Sequence, residues 1–581
     1  MDPTDTAPAD FTPPASPASA PNVRRRRRAS TAALQKWLAA AILALAVITS
    51  IGIRARLLKF PLERDEGEYA YAGQLILQGI PPYKLAYNMK MPGTYVAYAG
   101  IMSVFGQTVS GIHLGLIVVN VATLALLFLL ARRFCGFFGG AVATAAYALM
   151  SLDTSLLGQA AHATHFVVLP ALAGFLLLQR PGEARRIWIC VAAGLCFGIA
   201  VMMKQQGVFL GIFGGLYLNY LELQKSPIPK GQIVQRMIGY ALGCVVPFLL
   251  VCLWLSIAGV FPAFWHWTIE YAREYTSILP LDAGLANLKF QLVTMFQAAP
   301  LLWAAGIIGI VVAIASKAAA GKRFFLFGFL LAAFLTTVPG FYFRNHYFIP
   351  FLPALAIFIG LAAQWLGQRM DQLKFGPAGQ AFAAVIAAVV CAQSLFFHRD
   401  IFFSLTPMEA CRQTYSINPF PESLEIAKYI EEHSSPTDTI AVFGSEPQIY
   451  FYSHRHSATG YIYAYPLVED QPYASRMQED MIHQLEANHP EYIVFVSNTL
   501  SWLSTVKSPR QIFSWFDEFQ AKHLDLVGVV DTKDNGYSYA WGDAAKSYRS
   551  TSGFVVSIYK RRRDDTPTPG TTAPTPAAAA H

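Results

Sequence analysis

The chain has 581 residues, 54% of them hydrophobic and only 14% charged, with a mean hydropathy of +0.37 and a net charge of +8. Soluble domains carry about 25% charged residues, so the composition excludes an ordinary soluble protein and points to a membrane protein. Seven cysteines without a CxxC pair or Cys/His metal spacing exclude a disulfide framework and a structural zinc site, and positive charge gathered at Arg24–Arg28 and in short loops excludes a nucleic-acid binder.

Residues 1–36 read as a disordered, basic, cytoplasmic N-terminus, because the first 23 are rich in Pro, Ala, Ser, Thr and Asp. No small-residue cleavage site is apparent, so the apolar run 37–53 reads as a retained anchor. A first outer loop, 54–91, follows. It contains Arg64-Asp65-Glu66-Gly67-Glu68-Tyr69-Ala70-Tyr71, three carboxylates within four residues. Further spans are expected at 109–131, 137–152, 162–178, 187–203, 207–222, 237–261, 294–316, 324–342, 346–366 and 380–396. The apolar stretch 92–105 is marginal for spanning at about 14 residues and reads as re-entrant.

With the N-terminus inside, the basic loops fall on one side: Arg132-Arg133, Arg180 with Arg185-Arg186, Lys225/Lys230/Arg236, Lys317/Lys322/Arg323 and Arg369/Lys374. Arg54, Arg56 and Lys59 oppose this pattern but are outnumbered by the five N-terminal arginines and Lys36. The expected protein is a multi-pass inner or plasma membrane protein of about 11–13 spans, with residues 37–396 as the membrane domain. Residues 397–560 form an extracytoplasmic α/β domain, and 561–581 a disordered Pro/Thr/Ala tail. Strands are expected at Thr439–Phe443, Tyr492–Val496, Leu524–Val530 and Phe554–Tyr559, and helices at 422–433, 477–489 and 509–523. No phosphate-binding glycine loop indicates nucleotide.

The charged residues on the outer side carry the functional reading. On a helix, Asp65, Glu66 and Tyr69 share a face, and a carboxylate there can act as general base; the alternative is a solvated loop balancing Arg64. Lys204 ends an apolar run before Gln205 and suits a lipid phosphate, or simply snorkels. Arg344-Asn345-His346-Tyr347 makes a compact cationic turn for phosphate, or an ordinary polar turn. Trp265-His266-Trp267, with Tyr271 and Tyr275, offers aromatic platforms, with an interfacial belt as the simpler reading. His162 and His165, at i and i+3, can share a metal, but no paired carboxylate motif supports one.

Together these segments resemble the GT-C superfamily of polyprenyl-phosphate-sugar-dependent glycosyltransferases, nearest to protein O-mannosyltransferases and the aminoarabinose transferase of lipid A. The likeness rests on Asp65-Glu66-x-x-Tyr69, Met91-Pro92-Gly93, Gly198 to Gln205, Arg344 to Pro353, and Ile440 to Tyr450. The resemblance implies a hexosyl- or pentosyltransferase that moves a sugar from a polyprenyl phosphate to a lipid, glycan or protein acceptor on the outer face, with inversion. It implies Asp65 as general base or acceptor-positioning acid, Glu66 in support, and Lys204, Arg344 and His346 on the donor phosphate. Tyr69, Gln205, Tyr347, His162 and Trp265 are weaker substrate contacts. The resemblance implies no required cofactor; a divalent metal is not indicated, and metal dependence stays open. His162-Ala163-Thr164 stands where relatives often carry Asn-x-Glu, and His113 where an Arg is common, which leaves donor sugar and acceptor open. The competing readings are a polyprenyl-lipid flippase or transporter, and a membrane-anchored binding protein.

Overall fold

This computed structural model describes residues 20–180, 186–224, 229–533 and 536–562, with side chains from Ala33 onward. Most of the stretch 1–23, along with Arg185, Lys225 and the tail beyond 562, lies outside the described residues. Helix α1 (Ala20–Arg56) begins well before the anchor, so residues 20–36, expected as disordered, are helical.

Among the described residues, six helices are long and apolar enough to cross a membrane, or seven if one bent pair counts as a span. The difference from the expected number comes largely from short or broken helices. Helices α2 (Arg64–Leu77) and α3 (Gly93–Phe105) precede α4 (Val109–Met150). In α4, Gly136 adopts φ 71°, a conformation that suits glycine. A Cβ on Gly140 would stand 2.9 Å from the Arg132 backbone, whereas eight residues of straight helix cover about 12 Å. The chain therefore turns back at Gly136, and the two expected segments, 109–131 and 137–152, are separate limbs. Helices α5 (Ala163–Leu178) and α6 (Ile187–Met203) are apolar but short. The expected span 294–316 is broken: Leu281–Ala298 and Pro300–Ala315 meet at 107°. Pro300 lacks an N–H and starts a new helix there.

Glycines set the closest crossings. A Cβ on Gly139 would lie 2.5 Å from the carbonyl of Gly360, and one on Gly194 would lie 2.1 Å from that of Tyr240. Without a hydrophobic force between helices in lipid, such close backbone approach supplies the packing.

The two ends of the bundle differ in charge. At one end Lys322 donates to the Phe134 carbonyl (2.9 Å) and Gln380 to that of Gly367 (3.0 Å), bringing the loops of Arg132-Arg133, Lys322-Arg323 and Arg369 near Gln35. The acidic loop lies at the other end. Two of the three outlying cations there have structural partners. Arg54 donates to the carbonyls of Gly158 (3.0 Å) and Ser151 (2.9 Å), and Arg56 to those of Ile401 and Leu405.

The C-terminal region forms one mixed sheet. Its strands are β1 (Thr439–Phe443), β2 (His456–Ser457), β3 (Tyr492–Ser497), β4 (Leu524–Lys533), β5 (Gly536–Trp541) and β6 (Val555–Arg561), in the order β2-β1-β3-β6-β4-β5. β1 runs parallel to β2 and β3; β6 is antiparallel to β3 and β4. Helices Glu422–His433, Ala474–Asn488 and Gln511–His523 accompany it. One apolar core runs from Tyr69, Tyr71 and Tyr98 through Trp267 into Ile440, Val442 and Val494. The first loop and the sheet are thus packed as one body. Stretch 92–105 forms α3, which buries Tyr95 and Tyr98 against this core and leaves Val96 and Val104 exposed.

Candidate functional site

Helix α2 begins with a capping box. The Glu63 side chain accepts from the Glu66 N–H (3.0 Å), and the Glu66 carboxylate accepts from the Glu63 N–H (3.4 Å). Asp65 and Glu66 in the first turn also complement the helix dipole. The sheet domain holds this helix from outside. Gly67 lies where a Cβ would be 2.5 Å from the Gln448 backbone nitrogen, and the Tyr71 hydroxyl accepts from the Ser457 N–H (2.7 Å). Arg64 reaches into the domain, donating to Asn418 (2.6 Å) and Tyr465 and standing 3.7 Å from Glu446.

Asp65 is thereby aimed into a cavity of about 300 Å³ between the membrane helices and the sheet domain. Its Oδ1 accepts from Lys90 Nζ (2.8 Å) and from the Tyr463 hydroxyl (3.2 Å). Lys90 also donates to Glu68 Oε2 (2.7 Å) and sits 4.7 Å from the centre of the Tyr69 ring. The other oxygen, Oδ2, faces His162 Nδ1 (3.9 Å) and His346 Nε2 (3.8 Å). These imidazoles stack at 4.1 Å between ring centres. Asp65, His162 and His346 are the described residues that could hold a metal, with donor atoms within 4.8 Å of one another.

Burial, the largest single influence, raises the Asp65 pKa, but Lys90 together with His346 and His162 outweighs it and holds the carboxyl well below the usual range. Asp65 is therefore ionised at neutral pH. Lys204 shows the opposite balance: burial, only partly offset by Asp65, lowers its ammonium to about 7. Lys204 Nζ lies 3.8 Å from the Tyr347 ring centre, and Arg344 lies 5.3 Å from that of Tyr342. Among the described residues neither Lys204 nor Arg344 forms an ion pair.

Comparisons with known proteins agree with this architecture. The family model for dolichyl-phosphate-mannose-protein mannosyltransferase matches residues 90–255. The crystal structure of ArnT from Cupriavidus metallidurans bound to undecaprenyl phosphate superposes with a TM-score of 0.51 at 17% identity, covering 89% of this chain and 97% of that one. The apo form of the same protein gives 0.52 at 16% identity, covering 89% and 98%. The fold is that of the GT-C glycosyltransferases. Comparison with curated proteins gives no match.

Within this GT-C fold the cavity gathers Asp65, Tyr69, His162, Lys204, Gln205, Arg344, His346 and Tyr347 from four separate stretches of chain. Gln205 donates to the Met89 carbonyl (2.6 Å), fixing the segment that carries Lys90. Two candidates lie elsewhere. Glu66 is fully buried and not among the lining residues; its Oε1 accepts from the Ala161 N–H (2.6 Å) and contacts His113 Nε2 (3.1 Å). Trp265 is 41% exposed and outside the cavity; Trp267 is buried instead, stacked on Tyr87. His165 is buried near His162 but does not line the cavity. Sequence reasoning missed Lys90, Glu68, Tyr463 and Tyr465 as site residues. Lys90 immediately precedes the Met91-Pro92-Gly93 motif, which was a usable signal. The tyrosines lie about 400 residues from Asp65, and nothing in their spacing marks them.

Proposed function

We propose that this protein is a glycosyltransferase that moves a sugar from a polyprenyl phosphate to an acceptor at the outer face of the membrane, with inversion. One observation carries the reading: an ionised carboxylate, Asp65, shares a single cavity with two basic side chains, Lys204 and Arg344, that have no ion-pair partner among the described residues. The acceptor hydroxyl or amine docks against Asp65, which orients it and takes its proton as the new bond to the anomeric carbon forms. The bond from that carbon to the phosphate oxygen breaks on the opposite side. The departing phosphate carries its charge away without protonation; Arg344 and the protonated form of Lys204 neutralise it, with the buried, uncharged His346 beside them as a hydrogen-bond donor. Backside displacement inverts the anomeric centre.

The tyrosines that line the cavity around Arg344, Tyr275, Tyr347, Tyr463 and Tyr465, give the sugar apolar faces and hydroxyl partners. The test supplies reconstituted protein with a panel of polyprenyl-phosphate sugars and follows release of polyprenyl phosphate. Lys204→Ala and Arg344→Ala are expected to weaken donor use by about 10- to 100-fold in kcat/KM, the scale of a lost charge-assisted contact. Lipid movement across the bilayer without sugar transfer would instead support a transporter. Mass spectrometry of surface glycans and glycoproteins from a deletion strain identifies the acceptor.

A further inference from the structure

We propose that Glu469, on the sheet-domain wall of the cavity, selects the transferred sugar by accepting a hydrogen bond from a hydroxyl or ammonium group remote from its anomeric carbon. The inference rests on the glycosyl-transfer reading and adds a specificity-determining residue to it. Among the described residues, the carboxylates lining the cavity are Glu63, Asp65 and Glu469. Glu63 is taken up by the capping box of α2, and Asp65 by Lys90 and Tyr463. Glu469 differs. Its Oε2 accepts from the Tyr271 hydroxyl, while its Oε1 receives no hydrogen bond among the described residues. One acceptor oxygen on the cavity wall is left for a ligand.

Neighbouring structure holds that oxygen in place. Glu469 follows the short helix Tyr465–Val468; its N–H donates to the Tyr465 carbonyl (3.0 Å), and its own carbonyl accepts from the Gln471 N–H (2.9 Å). Tyr271 ends a π-helical turn, His266–Tyr271, a rare geometry that occurs frequently at functional sites. Tyr271 adjoins Tyr275 (6.5 Å between ring centres), which stacks on Tyr342 (4.6 Å), the ring beside Arg344. Glu469 therefore lies on the Arg344 side of the cavity. Burial raises its pKa, and the Tyr271 hydroxyl and Arg344 offset that only in part. A carboxylate in this position does not serve the phosphate, because like charges repel. What the donor brings besides its phosphate is the sugar. A sugar hydroxyl or ammonium satisfies the desolvated oxygen, and a sugar lacking that group leaves it unpaired and is rejected.

The experiment is a double-mutant cycle between protein and donor. Reconstituted full-length protein receives polyprenyl-phosphate hexoses, pentoses and amino sugars. For each donor that wild type consumes, analogues replace one hydroxyl or amino group by hydrogen. At one position the replacement is expected to lower wild-type kcat/KM by about 10- to 100-fold and to cost Glu469→Ala nothing further. Glu469→Gln keeps an acceptor without the charge, so it retains this coupling for a hydroxyl and loses it for an ammonium. Thermal unfolding checks that each variant is folded. Affinity of Glu469→Ala for sugar-free polyprenyl phosphate is expected to match wild type, whereas a merely structural role would weaken it together with transfer. Losses that simply add at every position in a folded Glu469→Ala, with wild type active, overturn this inference alone. A wild type that consumes no polyprenyl-phosphate sugar overturns the transfer reading and this inference together.

Discussion

Asp65 and Glu66 are adjacent, and the helix turn between them separates their roles. Asp65 looks into the cavity, held by Lys90 and Tyr463; Glu66 looks into the protein, held by His113 and the Ala161 N–H. The sequence singled out both carboxylates but offered no means of telling them apart, because that depends on contacts 47 and 95 residues away. The distinction makes a prediction. Glu66→Gln should destabilise the protein by about 1–3 kcal/mol, since a buried carboxylate with two strong partners becomes a mismatched amide. Thermal unfolding in detergent measures this; an unchanged midpoint would return Glu66 to a functional role. His113 Nε2 lies 3.1 Å from Glu66 Oε1 and gives this buried carboxylate a partner.

At the level of elements, α2 is clamped between the membrane domain and the sheet domain, and Gly67 makes the clamp possible. A Cβ there meets Gln448 backbone at 2.5 Å. Gly67→Ala is expected to cost about 1–3 kcal/mol through overpacking and to lower the unfolding midpoint. Wild-type stability in this variant would mean that the two surfaces are free to separate. Most elements were legible because apolar length and strand composition report on burial directly. The four expected strands appear as β1, β3, β4 and β6. The two-residue β2 is too short to show a period. Strand β5 follows β4 closely, and its Gly-Tyr-Ser start gives little alternation. The break at Ala299–Pro300 was signalled by the proline, but the continuous apolar run obscured it. The left-handed turn at Gly136 left no apolar gap longer than a few residues, yet the basic pair Arg132-Arg133 marked it.

Across the whole molecule, the sheet domain is part of the site. Tyr463 touches Asp65, Tyr465 and Asn418 hold Arg64, and one apolar core joins both parts. Charge patterning in the sequence placed the domain beside the acidic loop, but only folding could bring Tyr463 to a carboxylate 398 residues away. Tyr463→Phe removes one hydroxyl and should reduce kcat about 10-fold, with donor KM little changed, if it positions the carboxylate. A fall in stability alone, with kcat intact, would make it a packing residue. The isolated domain from about residue 397 onward should carry no transfer activity, because Lys204, Arg344 and Asp65 all lie before it. The most direct test of the central claim is the transfer rate of reconstituted Asp65→Asn with a polyprenyl-phosphate sugar that wild type consumes. The substitution preserves shape and removes the charge; losing the Lys90 ion pair lowers the thermal midpoint modestly, while the rate of the folded protein is predicted to fall by about 10²- to 10⁴-fold. Wild-type turnover by folded Asp65→Asn would contradict the account.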